Sequence, residues 1–252
     1  MEHFESLIIE YPGWLAVCTD PYIQQTLAVI WVSVYCSAYF ARYGQWFEPS
    51  FLLSELTMRI ALCTNYVSPY RLPMYRELSN RDGWEVTIFT SSDSGHDREW
   101  GRYDQDGTIR VQKSRSFSYR TIASYGKNGN KTSEYEEATL RSIPLGLVVD
   151  LIKFRPDVIV TGELGMRTVF AYIAGFLTRT PVIPWTYPSR AKISIGLCRR
   201  WTRRVLLRSA PAIIGMGKTA REMLVSEGAD SMRIFNAPNA ADLDSLRESA
   251  DQ

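Results

Sequence analysis

Histidine is almost missing from this chain. Only His3 and His96 occur in 252 residues, which argues against a His-based catalytic triad and against a His-rich metal centre. Cysteine is scarce too. Cys18, Cys36, Cys63 and Cys198 lie far apart and make no CxxC pair, no zinc spacing and no disulfide framework, so reduced thiols in a cytoplasmic setting are expected. Net charge is small, with 29 Lys and Arg against 27 Asp and Glu, so nucleic acid is not an expected partner. No Gly-rich dinucleotide fingerprint follows the first apolar strand, which argues against a nicotinamide enzyme. Gly215 to Thr219 reads GMGKT but lacks the full spacing of a phosphate-binding loop, and Gly217 is expected to turn a strand into a helix.

Two absences are local. From Pro21 to Ala41 there is no charged residue, and the core TLAVIWVSVYCSAYF approaches the length of a membrane span. Residues 22–41 therefore read as a membrane segment whose following Arg42 would face the cytoplasm. Two other readings stand beside it: residues 1–57 are an unrelated leader from a mis-assigned start, or the run is a small buried helix. From Leu164 to Arg221 there is no Asp or Glu, while eleven Lys and Arg occur. A stretch of one sign favours phosphates, pyrophosphates or an anionic membrane surface. Arg199, Arg200, Arg203 and Arg204 fall at helical spacing within it and are the expected membrane or anion-binding residues; the competing reading is a solvated helix face.

What is present is an alternation of apolar strands and helices. Strands are predicted at Arg59–Thr64, Glu85–Thr90, Ile109–Lys113, Asp157–Thr161, Val182–Trp185, Ala212–Gly215 and Met232–Phe235. Helices are predicted at Pro69–Ser79, Gly165–Thr178, Ala191–Arg208 and Lys218–Glu227. Ser114 to Thr132 reads as a long polar loop. Residues 133–155 read as one helical stretch broken near Pro144. The implied fold class is α/β: a Rossmann-like parallel sheet with helices on both faces, behind an N-terminal hydrophobic extension.

In such sheets ligands sit beyond the carboxyl ends of the strands. That rule selects Ser68, Pro69, Tyr70 and Arg71 after the first strand, where Arg71 offers a planar fork for phosphate or carboxylate. The alternative is that Tyr70 packs and Arg71 is solvated. Glu163 follows the DVIVT strand and could accept hydrogen bonds from sugar hydroxyls or cap the next helix. Tyr187, beside Trp185 and Thr186, suits a sugar face or ordinary loop packing.

MRIALCTNYVSPYRLPMYREL at Met58 and RRVLLRSAPAIIGMGKTAREMLVSEGADSMRIFNAPNAADLD from Arg203 together resemble the N-terminal domain of family 4 retaining glycosyltransferases. The shared pattern is an opening strand and loop, a basic helix, an "ADAII"-like strand, a small-residue turn, a helix ending in Gly, and a strand leading into "PN.VD". The resemblance runs from Met58 to Asp244. It implies one half of a two-domain GT-B fold, with the acceptor bound by this half. The nucleotide-sugar would be held mainly by a second domain, with no metal and no other cofactor. Residues 58–240 would be the Rossmann-like domain, and 241–252 a truncated hinge and tail. Ser68 to Arg71 and Glu163 would line the acceptor side, and Asn239 and Asp242 would belong to the hinge. The implied partners are a donor-binding domain or chain and a sugar or lipid-linked acceptor at an anionic membrane surface. Location would be cytoplasmic, peripheral at or anchored to the membrane. Many members carry a His in the loop where Trp185, Thr186 and Tyr187 stand here. No sequence remains for a donor domain, so this chain alone is expected not to turn over a nucleotide-sugar. The rival reading is a non-catalytic sugar- or nucleotide-binding module, or a gene remnant.

Overall fold

Seven parallel strands form the centre of the structure, a computed structural model that describes residues 57–92, 107–125, 135–186 and 197–237. Strand β1 (Met58–Thr64) lies between β2 (Trp84–Thr90) and β6 (Val158–Gly162). Outside β2 comes β3 (Arg110–Lys113). Beyond β6 come β7 (Val182–Thr186), β8 (Ile213–Gly215) and β9 (Ile234–Asn236), giving the order β3-β2-β1-β6-β7-β8-β9. The two sides of β1 lead in opposite directions through the chain, so the order reverses between β1 and β6.

The strand residues explain the layering. Alternate side chains of a strand point to opposite faces, and nearly every central position here is apolar, as burial on both faces requires. Ile60, Leu62, Val158, Val160 and Ile183 pack on one face against Leu72, Met74, Tyr75 and Leu78 of α1 (Leu72–Ser79). Ala61, Cys63, Ile159 and Val182 pack on the other. There they meet Leu147 and Leu151 of α2 (Leu147–Phe154) and Ala171 and Ala174 of α3 (Met166–Thr178). Leu207 of α4 (Leu197–Ser209) and Leu224 of α5 (Lys218–Ser226) cover Ile213 and Ile234 at the far end. Each fully buried Leu or Ile contributes about 1.5–3 kcal/mol.

Register between β1 and β6 is pinned at its start. The Arg59 amide donates to the Asp157 carboxylate at 2.9 Å, and the Asp157 amide donates to the Arg59 carbonyl at 2.8 Å. Gly175 lets α3 close onto β7: a Cβ there would meet Val182 Cγ2 at 2.5 Å and the Thr180 carbonyl oxygen at 2.7 Å.

One stretch departs from the sequence expectation. Residues 135–143, within the stretch expected to be helical, are not a helix. Tyr135–Ile143 is strand β5, paired antiparallel with β4 (Phe117–Tyr125), which was expected to lie within a polar loop. Glu136, Glu137, Ala138, Leu140 and Arg141 are good helix formers, but nine cross-strand pairs from Phe117↔Ile143 to Tyr125↔Tyr135 supply the backbone partners instead. Only after Pro144 does helix α2 start, at Leu147. The hairpin leaves the main sheet just beyond the carboxyl end of β3. No helix among the described residues is long and apolar enough to cross a membrane. The 22–41 segment and the hinge lie outside the described residues.

Candidate functional site

The strand order reverses between β1 and β6, and in open parallel sheets ligands bind beyond the carboxyl ends of the strands at such a reversal. After β1 the chain makes a short 3₁₀ turn, Pro69–Arg71, with the Arg71 amide donating to the Ser68 carbonyl at 3.0 Å. Proline suits the first turn because its missing N–H would lack a helical partner anyway. This turn orients its residues in a way the sequence did not decide. Ser68 is buried, Tyr70 is 46% exposed, and Arg71 is partly buried.

Arg71 turns inward along the strand ends. Its guanidinium lies over the Trp185 ring, 4.7 Å from the centroid, and 5.8 Å from that of Tyr70. Its terminal nitrogen reaches Met216 Sδ at 3.9 Å. Stacking on an aromatic face favours a guanidinium over an ammonium here. The Arg71 charge also acts on Tyr75, whose hydroxyl is held above its ordinary ionisation range mainly by burial, with Arg71 opposing that rise. Among the described residues two donors in this group have no acceptor: Arg71 Nε and the indole Nε1 of Trp185, a residue only 4% exposed. Buried donors are normally paired, so the pair presents an unmet demand for oxygen atoms at the strand ends.

On the β6 side, Glu163 has φ +68°. Arg155 and Arg179 also have positive φ, but each closes a helix, where that conformation is ordinary. Glu163 instead ends a strand. Its amide donates to the Trp185 carbonyl at 3.1 Å, and its carbonyl accepts from the Thr168 hydroxyl. These bonds hold a backbone shape that is uncommon for a residue with a side chain and that clusters at functional sites. The Glu163 side chain is exposed and does not cap α3, whose N-cap is Gly165.

The sequence did not single out Arg167 as a site residue. It is 7% exposed, and its described partners are neutral. It donates to Asn65 Oδ1 at 2.7 Å, to Ser91 Oγ at 3.4 Å and to the Gly162 carbonyl at 3.4 Å. Burial pushes its ionisation downward, while the Glu163 carboxylate opposes that shift. Asn65 also accepts the Ser91 and Ser92 amides on its backbone oxygen, at 3.0 and 2.9 Å. Arg167 therefore ties the ends of β1, β2 and β6 together. Its only sequence signal was its place in the acid-free run.

The four arginines of the basic helix do not share one environment. Arg200 is exposed. Arg203 pairs with Glu227 at 3.1 Å with both side chains largely buried, and Arg204 Nε reaches the Glu227 carbonyl at 3.5 Å. The side chain of Arg199, and Tyr187, Asn239 and Asp242, lie outside the described residues. Gly217 opens α5 at φ +94°, with its amide on Asn236 Oδ1 at 2.8 Å, which is a strand-to-helix turn.

No protein-family model matches the chain, and a search of curated proteins finds no match. Solved structures do resemble it. Anabaena Alr3699/HepE in complex with UDP and glucose matches at 14% identity and TM-score 0.49, over 77% of this chain and 50% of that one. UDP-GlcNAc 2-epimerase from Neisseria meningitidis bound to UDP-GlcNAc matches at 14% identity and TM-score 0.46, over 77% and 50%. UDP-GlcNAc 2-epimerase from Methanocaldococcus jannaschii matches at 13% identity and TM-score 0.44, over 72% and 46%. The chain thus spans about half the length of the solved proteins it matches.

Proposed function

We propose that this chain is the acceptor-binding half of a GT-B glycosyltransferase of the family 4 type. The reaction would move a sugar from a nucleotide-sugar to a polysaccharide or glycolipid acceptor with retention. The donor would be held by a second domain or a separate chain, so this half alone would be inactive. The observation that carries the reading is the Arg71–Trp185 pair at the carboxyl ends of β1 and β7, with two buried N–H donors that have no acceptor among the described residues. Sugar hydroxyl and ring oxygens would meet that demand. Tyr70, exposed beside Arg71, would offer an aromatic face, and Glu163 would accept from sugar hydroxyls. The same reading brings α4 to an anionic membrane surface, where Arg200 and the 68%-exposed Trp201 are available.

The test follows the indole N–H resonance of Trp185, assigned by Trp185→Phe, in the full chain. An unphosphorylated oligosaccharide panel should shift this resonance saturably, and Arg71→Ala should weaken the response at least tenfold. UDP-glucose alone should not shift it. Tight UDP-glucose binding, or silence toward every oligosaccharide, overturns the reading. A non-catalytic binding module is indicated if oligosaccharides bind but no donor-domain polypeptide restores transfer.

A further inference from the structure

A cavity lies where β2 and β3 end and the β4–β5 hairpin departs. It is an open cleft of about 400 Å³, lined by Ser91, Ser92, Lys113, Ser114, Arg115 and Ser116 together with Ser118. Among the described residues the lining contains two cations, five hydroxyls, no carboxylate and no aromatic ring. Ser114 is 1% exposed, yet its hydroxyl has no partner among the described residues. A buried hydroxyl left without a bond is destabilising in itself, so this one awaits a group in the cleft.

We infer that the cleft is a binding subsite for a tetrahedral oxyanion, a phosphate group carried by the ligand. A neutral sugar would ask for carboxylate or amide acceptors and an aromatic face, and the described lining supplies neither. An oxyanion asks for a hydroxyl donor and positive charge: Ser114 supplies the first and Lys113 and Arg115 the second, while the Ser116 and Ser118 hydroxyls are already bonded to the Ser91 carbonyl and the Ser142 hydroxyl. The walls are fixed by the backbone. The Ser114 amide donates to the Thr90 carbonyl at 2.8 Å, and the Ser116 hydroxyl donates to the Ser91 carbonyl at 2.6 Å. The Gly146 amide donates to the Arg115 carbonyl at 2.8 Å, and a Cβ on Gly146 would stand 3.0 Å from both Arg115 N and Cβ. Glycine is what lets the end of the hairpin press against Arg115. Ser91 then links the cleft to the β1 and β6 ends, since its hydroxyl accepts from Arg167. The inference deepens the acceptor reading, on which it rests only for the rest of the ligand: the acceptor would be phosphorylated, with its phosphate in the cleft and its sugar toward Arg71 and Trp185.

Inorganic phosphate is the first probe, titrated calorimetrically into the full chain. Saturable millimolar binding is expected, with glucose as a silent control. Ser114→Ala should weaken it about tenfold with melting temperature unchanged or raised. Arg115→Gln should weaken it similarly. Gly146→Ala, which substitutes no lining residue, should weaken it by displacing Arg115. Absence of binding, or binding indifferent to both Ser114→Ala and Arg115→Gln, overturns the subsite. Glucose 1-phosphate and vesicles of phosphatidic acid against phosphatidylcholine then distinguish a sugar phosphate from a lipid phosphate. Phosphate binding without any oligosaccharide response at Trp185 removes the acceptor reading and leaves the oxyanion site. The reverse result removes the oxyanion site alone.

Discussion

The Arg71 guanidinium and the Trp185 ring face each other at 4.7 Å across the ends of β1 and β7. Arg71→Lys keeps the charge and loses the flat stack. It should cost about 1 kcal/mol of stability, measured by urea unfolding. It should cost much more in oligosaccharide affinity if the two orphaned donors act together. A Lys variant that binds oligosaccharides as well as the parent would show that charge alone suffices.

Glu163 offers a separation of stability from binding. At φ +68° a residue with a Cβ is strained by roughly 1–2 kcal/mol, which glycine relieves. Glycine also gains freedom in the unfolded chain, which offsets part of that relief. Glu163→Gly should therefore raise stability by about 0.5–1 kcal/mol, or roughly 1–4 °C in melting temperature. Oligosaccharide affinity should fall in the same variant. A drop in both would mean that Glu163 serves packing.

Cys63 sets an alkaline limit. Burial pushes its thiol from an ordinary 9.0 up to about 12, with the Arg167 charge acting weakly the other way. Above pH 9 the unfolded thiol has lost its proton while the folded one keeps it, so the unfolded state binds fewer protons and stability falls as pH rises. The contribution is intact below pH 9 and declines by about 1.4 kcal/mol per pH unit toward pH 12. Tyr75 and Tyr172, both raised chiefly by burial, add to the same slope at higher pH. Cys63→Ala should flatten the denaturation-midpoint curve between pH 9 and 11. An unchanged slope would remove Cys63 from the account.

Arg200 and Arg203 should separate a membrane role from a structural one. Arg203→Glu would set like charges together at Glu227 and should destabilise α4 by about 3 kcal/mol or more. Arg200→Glu, on an exposed position, should leave the melting temperature within about 1 °C and reduce sedimentation with anionic liposomes. Unchanged sedimentation of a folded Arg200→Glu variant counts against membrane docking through this helix.

Much of the sheet was legible because parallel strands covered on both sides must be apolar at nearly every position. Val158-Ile159-Val160 and Val182-Ile183 could scarcely be read otherwise. β5 was not legible, since Glu136 to Arg141 carry helix-forming side chains and the pairing with Phe117–Tyr125 is a contact that local propensity does not encode. Ser68 to Arg71 were selected by the rule that ligands gather at strand ends, but which of them turns inward depends on the 3₁₀ geometry and on Trp185, over a hundred residues away. Arg167 and the Arg203–Glu227 pair were hidden for the same reason. A charge run reveals sign, whereas burial and distant partners decide what each charge does.

The clamp between Arg59 and Asp157 has a consequence during synthesis. The two residues are 98 positions apart. At cellular elongation rates the ribosome needs roughly 5–20 s to cover that distance. Through that interval β6, the strand that covers the other edge of β1 in the finished sheet, is not yet made. The nascent chain therefore carries an open apolar strand edge until Val158 to Gly162 emerge, and the time of greatest aggregation risk falls before the sheet's centre can close.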